Sequence, residues 1–258
     1  MSSDTSSDNG GSKKKQKRLA REVASLSEPG ALPRELTGSI FVRHDVDRLD
    51  RMRAVVVGAD GTPYDGGCFV FDVYFPANYP AVAPLVNLDT TGGGRARFNP
   101  NLYADGKVCL SLLGTWHGGS AEEKWDPERS SLSQVLVRRV RASHYCVQGL
   151  IMCEDPMYNE PGFDGIRGTP EGVNKSKEYD EDVRLNTARH AMVAHLRRPR
   201  RGVNDAIRTH FRLRRWRTMR TVLRWCEEAS DETRRARLWD AAKELGGLLA
   251  ALKDERDE

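Results

Sequence analysis

Leu19, Val23 and Leu26 recur at spacings of four and three, the rhythm of one helical face. This predicts a short amphipathic helix over residues 13–26, stopped by Glu28-Pro29-Gly30. Segments 39–43, 52–57 and 68–75 carry β-branched and aromatic residues between the turn signals Ala59-Asp60-Gly61 and Asp65-Gly66-Gly67, and they predict strands of an antiparallel meander. Leu85 to Leu88 predicts a fourth strand. Pro76, Pro80 and Pro84 supply no ladder donors, so the segment holding them is expected to run outside the sheet.

The regular pattern then breaks. From Thr90 to Pro127 the chain holds Asn99-Pro100-Asn101, Asp105-Gly106-Lys107 and Gly118-Gly119, and loops of that length are often functional. Leu132, Val135, Leu136, Leu150 and Ile151 predict a central helix from about Ser131 to Glu154, ended by Asp155-Pro156. A polar connection is expected through about Glu178. The remainder to Leu252 predicts two or three Arg-rich helices, broken near Pro199 to Gly202 and near Ser230. A helix before a small sheet and helices after it make the fold class α+β.

Composition narrows the class. The 258 residues are 38% hydrophobic and 30% charged, with no run approaching the roughly 18 apolar residues of a membrane span. No apolar N-terminal stretch resembles a secretory signal, so a cytoplasmic location and reduced cysteines are expected. The five cysteines are odd in number and irregularly spaced, which argues against a disulfide framework and a CxxC zinc site. Net charge is only +4, yet 13 arginines and a single acid, Asp205, lie between Arg184 and Arg224. Such a stretch either neutralises phosphates or an acidic protein surface or forms a solvated helix face. No nucleic-acid motif accompanies it. Lys13, Lys14, Lys15, Lys17 and Arg18 form a second basic cluster, compatible with a nuclear-localisation patch.

The chemistry centres on Asn99-Pro100-Asn101 and Asp105-Gly106-Lys107-Val108-Cys109-Leu110. Cysteine is a few per cent thiolate at neutral pH, so Cys109 on a shaped loop is a candidate nucleophile even without a catalytic histidine. The amide of Asn101, eight residues upstream, is a candidate donor to an oxyanion. Flanked by Val108 and Leu110, Cys109 reads equally as a buried small hydrophobe.

These residues, with Phe75-Pro76-Ala77-Asn78-Tyr79-Pro80, Pro84 and Trp125-Asp126-Pro127, resemble the ubiquitin-conjugating (E2) core. More narrowly, Phe98-Asn99-Pro100-Asn101-Leu102-Tyr103, Gly114-Thr115-Trp116-His117-Gly118 and Asn159-Glu160-Pro161-Gly162-Phe163 are similar to the E2 domains of the giant inhibitor-of-apoptosis ubiquitin ligase and the E2/E3 hybrid enzymes. The resemblance covers roughly Lys17 to Arg184. It implies a UBC-like fold in which Cys109 accepts ubiquitin as a thioester from the activating enzyme (E1) and passes it to a lysine or an E3 cysteine. Under it, Asn101 stabilises the oxyanion or braces the loop, and Glu160 orients an incoming lysine or is a solvated loop acid. The basic N-terminal helix meets E1, E3 ligases and protein substrates are further partners, and no cofactor or metal is required. Phe75, Trp116, Trp125 and the prolines read mainly as scaffold.

Asn99 departs from the family's usual histidine, and the loop from Cys109 to Trp125 is long, both as in the resembling branch. About eight extra residues near 138–146 also interrupt the central helix pattern. At 3.6 residues per turn they would rotate the following apolar face by about 80° unless a loop absorbs them. The expected organisation is a disordered leader (1–12), an E2 core (13–183) and an Arg-rich helical extension (184–258). In that extension Leu213, Trp216, Val222, Leu223, Trp225 and Trp239 offer an apolar face. The competing functional reading is a non-catalytic E2-like scaffold binding ubiquitin or an E3.

Overall fold

The structure, a computed structural model, describes residues 6–35, 37–116, 123–137 and 146–252. Helix α1 (Ser6–Ser27) begins inside the stretch whose composition suggests disorder. It lays Leu19 and Leu26 on the core, with Val23 beside them. The helix is fastened by Glu22, which is 3% exposed. Its carboxylate accepts from Tyr79 Oη at 2.6 Å and from the Leu132 amide at 3.1 Å, and it pairs with Arg18 at 3.0 Å. One acid thus ties α1 to the proline-rich connection and to the start of the next helix.

The four strands β1 (Ile40–His44), β2 (Arg51–Val57), β3 (Cys68–Tyr74) and β4 (Leu85–Leu88) form an antiparallel meander in sequence order, as the alternation predicts. The register places Ala54 opposite Phe71 and Val56 opposite Phe69. Alternate side chains point to opposite faces, so Met52, Ala54, Val56, Phe69, Phe71 and Val73 pack towards α1. Val55, Val57, Cys68 and Val70 enter a second core on the other face. Trp125 donates to Pro80 O at 2.8 Å and anchors the chain ahead of the central segment.

The expected continuous central helix is corrected. Helix α2 is only Leu132–Leu136, and Val137 leaves it in an extended conformation. Residues 138–145, which hold nearly all of the insertion, lie outside the described residues. Cys146 is again extended and caps a π-helical turn at Val147–Ile151. Leu132, Val135, Leu136, Val147, Ile151 and Met152 nevertheless share one core. Extended backbone at both borders absorbs the rotation that an uninterrupted helix would impose.

Helix α3 (Pro170–Asn186) also starts earlier than the expected connection through Glu178 allows. Thr169 caps it, accepting from the Gly172 amide at 3.1 Å, with Pro170 suited to the first turn. It passes through a π-helical turn (Thr187–Val193) into α4 (Ala194–Arg197), so the expected boundary at 183/184 falls within a continuous helical run. Helices α5 (Asn204–Glu228) and α6 (Glu232–Ala250) follow, with breaks where the sequence places them. Together these helices cover the second face of the sheet. Trp225 and Val222 are buried there, whereas Leu213, Trp216 and Trp239 are exposed, which splits the expected apolar face.

At least six of the thirteen arginines between Arg184 and Arg224 pair with acids of this same chain. Arg214 donates to Asp60 at 2.9 Å, Arg217 also meets Asp60, and Arg224 lies 3.6 Å from Asp65. Arg184 pairs with Glu228 at 2.9 Å and Arg200 with Asp89 at 2.8 Å. Arg200, Arg214, Arg217 and Arg224 thereby fix the extension to the loops of the sheet. No described helix is long and apolar enough to cross a membrane.

Candidate active site

The loop after β4 is shaped by short-range constraints. Gly106 has φ +93°, and a Cβ there would meet Asn87 Oδ1 at 2.4 Å and Leu88 O at 2.8 Å, so the turn needs glycine. The Leu88 amide donates to Gly106 O at 2.8 Å, which pins the loop to the last strand. Downstream, Thr115 Oγ1 donates to Val108 O at 2.8 Å and accepts from the Leu110 amide at 2.9 Å. This side chain staples the segment on both sides of Cys109.

Asn101 and Cys109 are brought together reciprocally. The Cys109 amide donates to Asn101 O at 2.9 Å, and Asn101 Nδ2 donates to Cys109 O at 3.0 Å. Cys109 is 3% exposed, so the buried reading of its side chain describes this conformation.

Asn99 holds the pair from behind. Its Nδ2 donates to Ile151 O at 2.7 Å and Tyr64 Oη at 3.2 Å, and its Oδ1 accepts from the Asn101 amide at 2.8 Å. Tyr64 Oη in turn donates to Phe98 O at 2.7 Å, and burial raises its pKa. This network braces the asparagine loop from within the core.

Glu160 reaches the loop indirectly. It follows the 3-10 turn Pro156–Asn159, which begins at Asp155 in a left-handed conformation with φ +50°. Asp155 Oδ1 accepts from Ser176 Oγ at 3.1 Å, fastening the turn to α3. Glu160 Oε2 lies 3.6 Å from Arg97 Nη2, and Arg97 donates to Pro100 O at 2.8 Å and Asn99 O at 3.3 Å. No described contact joins Glu160 to Cys109 directly.

Sequence reasoning missed Arg97 and Thr115. Arg97 stacks over Tyr103 with its guanidinium carbon 4.6 Å from the ring centroid, linking the acid to the asparagine loop. Its only sequence signal is its place two residues before Asn99. Phe75 is fully buried, in keeping with a scaffold role. The expected partner-facing helix is also refined. Lys13, Lys14, Lys17 and Arg21 are exposed, but Lys15 pairs with Asp50 at 3.3 Å, and Arg18 donates to the carbonyls of Pro127 and Ser130.

Residues 18–145 match the ubiquitin-conjugating enzyme family model. Over 209 residues, 81% of this chain, the chain is 49% identical to the dual E2 ubiquitin-conjugating enzyme/E3 ubiquitin-protein ligase BIRC6 of Homo sapiens. It is 41% identical over 84% of its length to probable ubiquitin-conjugating enzyme protein 17 of Caenorhabditis elegans, and 39% identical over 92% to probable ubiquitin-conjugating enzyme E2 R521 of Acanthamoeba polyphaga mimivirus. The aligned region spans 4%, 28% and 16% of those relatives, respectively.

Proposed function

We propose, from a chain that belongs to the ubiquitin-conjugating enzyme family, that Cys109 carries ubiquitin as a thioester. In the first step the Cys109 thiolate attacks the carbonyl carbon of ubiquitin's C-terminus, held as a thioester on E1, and the E1 thiolate leaves. In the second, the neutral amine of a lysine or the thiolate of an E3 cysteine attacks the same carbon and the Cys109 thiolate leaves. Both steps pass through a tetrahedral oxyanion. A preorganised amide donor stabilises that charge, and its removal typically costs about 10²–10³ in rate.

The carrying observation is the reciprocal Asn101–Cys109 pair. An amide nitrogen has two hydrogens. One holds the cysteine's own carbonyl, and the other has no acceptor among the described residues. Asn101 therefore braces the loop and keeps a donor for the reaction. Glu160, half exposed beside Arg97, orients the incoming lysine. The exposed cations of α1 raise the encounter rate with an acidic surface of E1. Service as an E2/E3 hybrid, with direct delivery to protein substrates, extends the same reading.

The burial of Cys109 favours one alternative, a non-catalytic scaffold that binds ubiquitin or an E3. A charging assay with E1, ubiquitin and ATP separates the two. We expect a ubiquitin adduct that reducing agent removes and that Cys109→Ala lacks. Folded protein that never forms the adduct establishes the scaffold reading instead.

A further inference from the structure

A cavity of about 790 Å³ lies between the Gly92-Gly93 turn and the helices of the extension. Five arginines and a histidine line it: Arg95, Arg189, His190, Arg197, Arg198 and Arg200. The acids on its wall are Asp240 and Glu244. Arg197 is matched by Glu244, and Arg200 by Asp89. Arg95, Arg189 and Arg198 have no carboxylate partner among the described residues, so the cavity keeps an uncompensated positive charge.

Two features show that the wall is built closely. Gly92 has φ +62°, and a Cβ there would meet the His190 ring at 2.5 Å, so backbone and imidazole are in intimate contact. The His190 pKa is also lowered, by burial first and then by Arg95 and Arg189. The ring is therefore held towards its neutral form, and the surrounding field favours an anion. Pockets of this size commonly hold small molecules. Guanidinium groups offer paired donors that match phosphate oxygens.

We propose that this cavity binds a small polyphosphate, an anion with two or more phosphate groups, at a site separate from Cys109. The guanidiniums of Arg95, Arg189 and Arg198, which face no carboxylate among the described residues, are the recognition elements, and α4 and α6 supply part of the wall. The site does not depend on the thioester reaction. It is tested by binding alone, so failure of one reading leaves the other standing.

The test is calorimetric titration of the full chain with inositol hexakisphosphate and with pyrophosphate at physiological salt, with sulfate as the control. Arg189→Ala/Arg198→Ala is compared with Arg217→Ala/Arg220→Ala, which removes equal charge from α5 outside the cavity, after both are shown to melt cooperatively. We expect one site per chain, and a loss of about tenfold or more in the cavity variant with little change in the α5 variant. Equal losses in the two variants, polyphosphate binding no tighter than sulfate, or tighter binding of a single-stranded oligonucleotide through the same arginines would each overturn the proposal.

Discussion

Asn99 and Asn101 carry the same side chain with opposite degrees of saturation. Asn99 is fully buried and spends both amide hydrogens and its oxygen within the protein, whereas Asn101 spends one hydrogen on Cys109 O. Replacement should separate their roles. Asn99→Ala strands several buried groups and is expected to cost about 2–3 kcal/mol, read as a lower melting temperature. Asn101→Ala is expected to remain folded and to slow discharge of the thioester to lysine by about 10²–10³. Equal melting losses with normal discharge in both variants would refute the distinction. The motif identified both positions, but which amide was saturated depended on Tyr64 and Ile151, far away along the chain and invisible to local pattern.

At the scale of elements, the strands were legible because alternation and turn chemistry are local. The central helix was not. Its apolar residues Leu132, Val135, Leu136, Val147 and Ile151 do share a core, yet Val137 ends α2 in an extended conformation and Cys146 is extended ahead of the next turn. Because the core residues on both sides already share one cluster, deletion of residues 138–145 with a short glycine linker is expected to leave the melting temperature within about 2 °C. Loss of cooperative unfolding would show that the insertion is structural. The start of α3 was missed for a different reason. Its first two turns are polar and carry Gly172, and they are held by a cap and by packing on the 156–159 turn, which periodicity does not report.

At the scale of the whole molecule, the extension is part of the folding unit. Truncation after Arg184 would bare Val55, Val57, Cys68 and Val70, and the product is expected to aggregate or to lose its cooperative melt. The composition of the basic run pointed outwards, towards an acidic partner. Its pairing with Asp60, Asp65, Asp89 and Glu228 became visible only in three dimensions.

The same packing makes stability sensitive to acid. His195 and His210 are buried, and burial lowers both pKa values to about 4. Each stays neutral in the folded state while the unfolded chain takes up a proton below about pH 6.5, so stability falls as pH drops towards 4. Asp180, raised by burial to about 7, opposes this trend by gaining its proton earlier when folded. Chemical denaturation between pH 6.5 and 4 should show a slope in His210→Gln that is shallower by up to about 1.4 kcal/mol per pH unit than in the parent. An unchanged slope would mean that His210 is protonated in the folded protein.

The two-sided burial of the sheet has one more consequence. A four-stranded sheet with one naked apolar face is a seat on which another protein can rest without any covalent bond. Here the chain occupies that seat with its own helices. Under the proposed reading, a passenger carried at Cys109 finds the back of the sheet already filled, so its grip on this protein depends on the tether and on whatever the loops and helices offer.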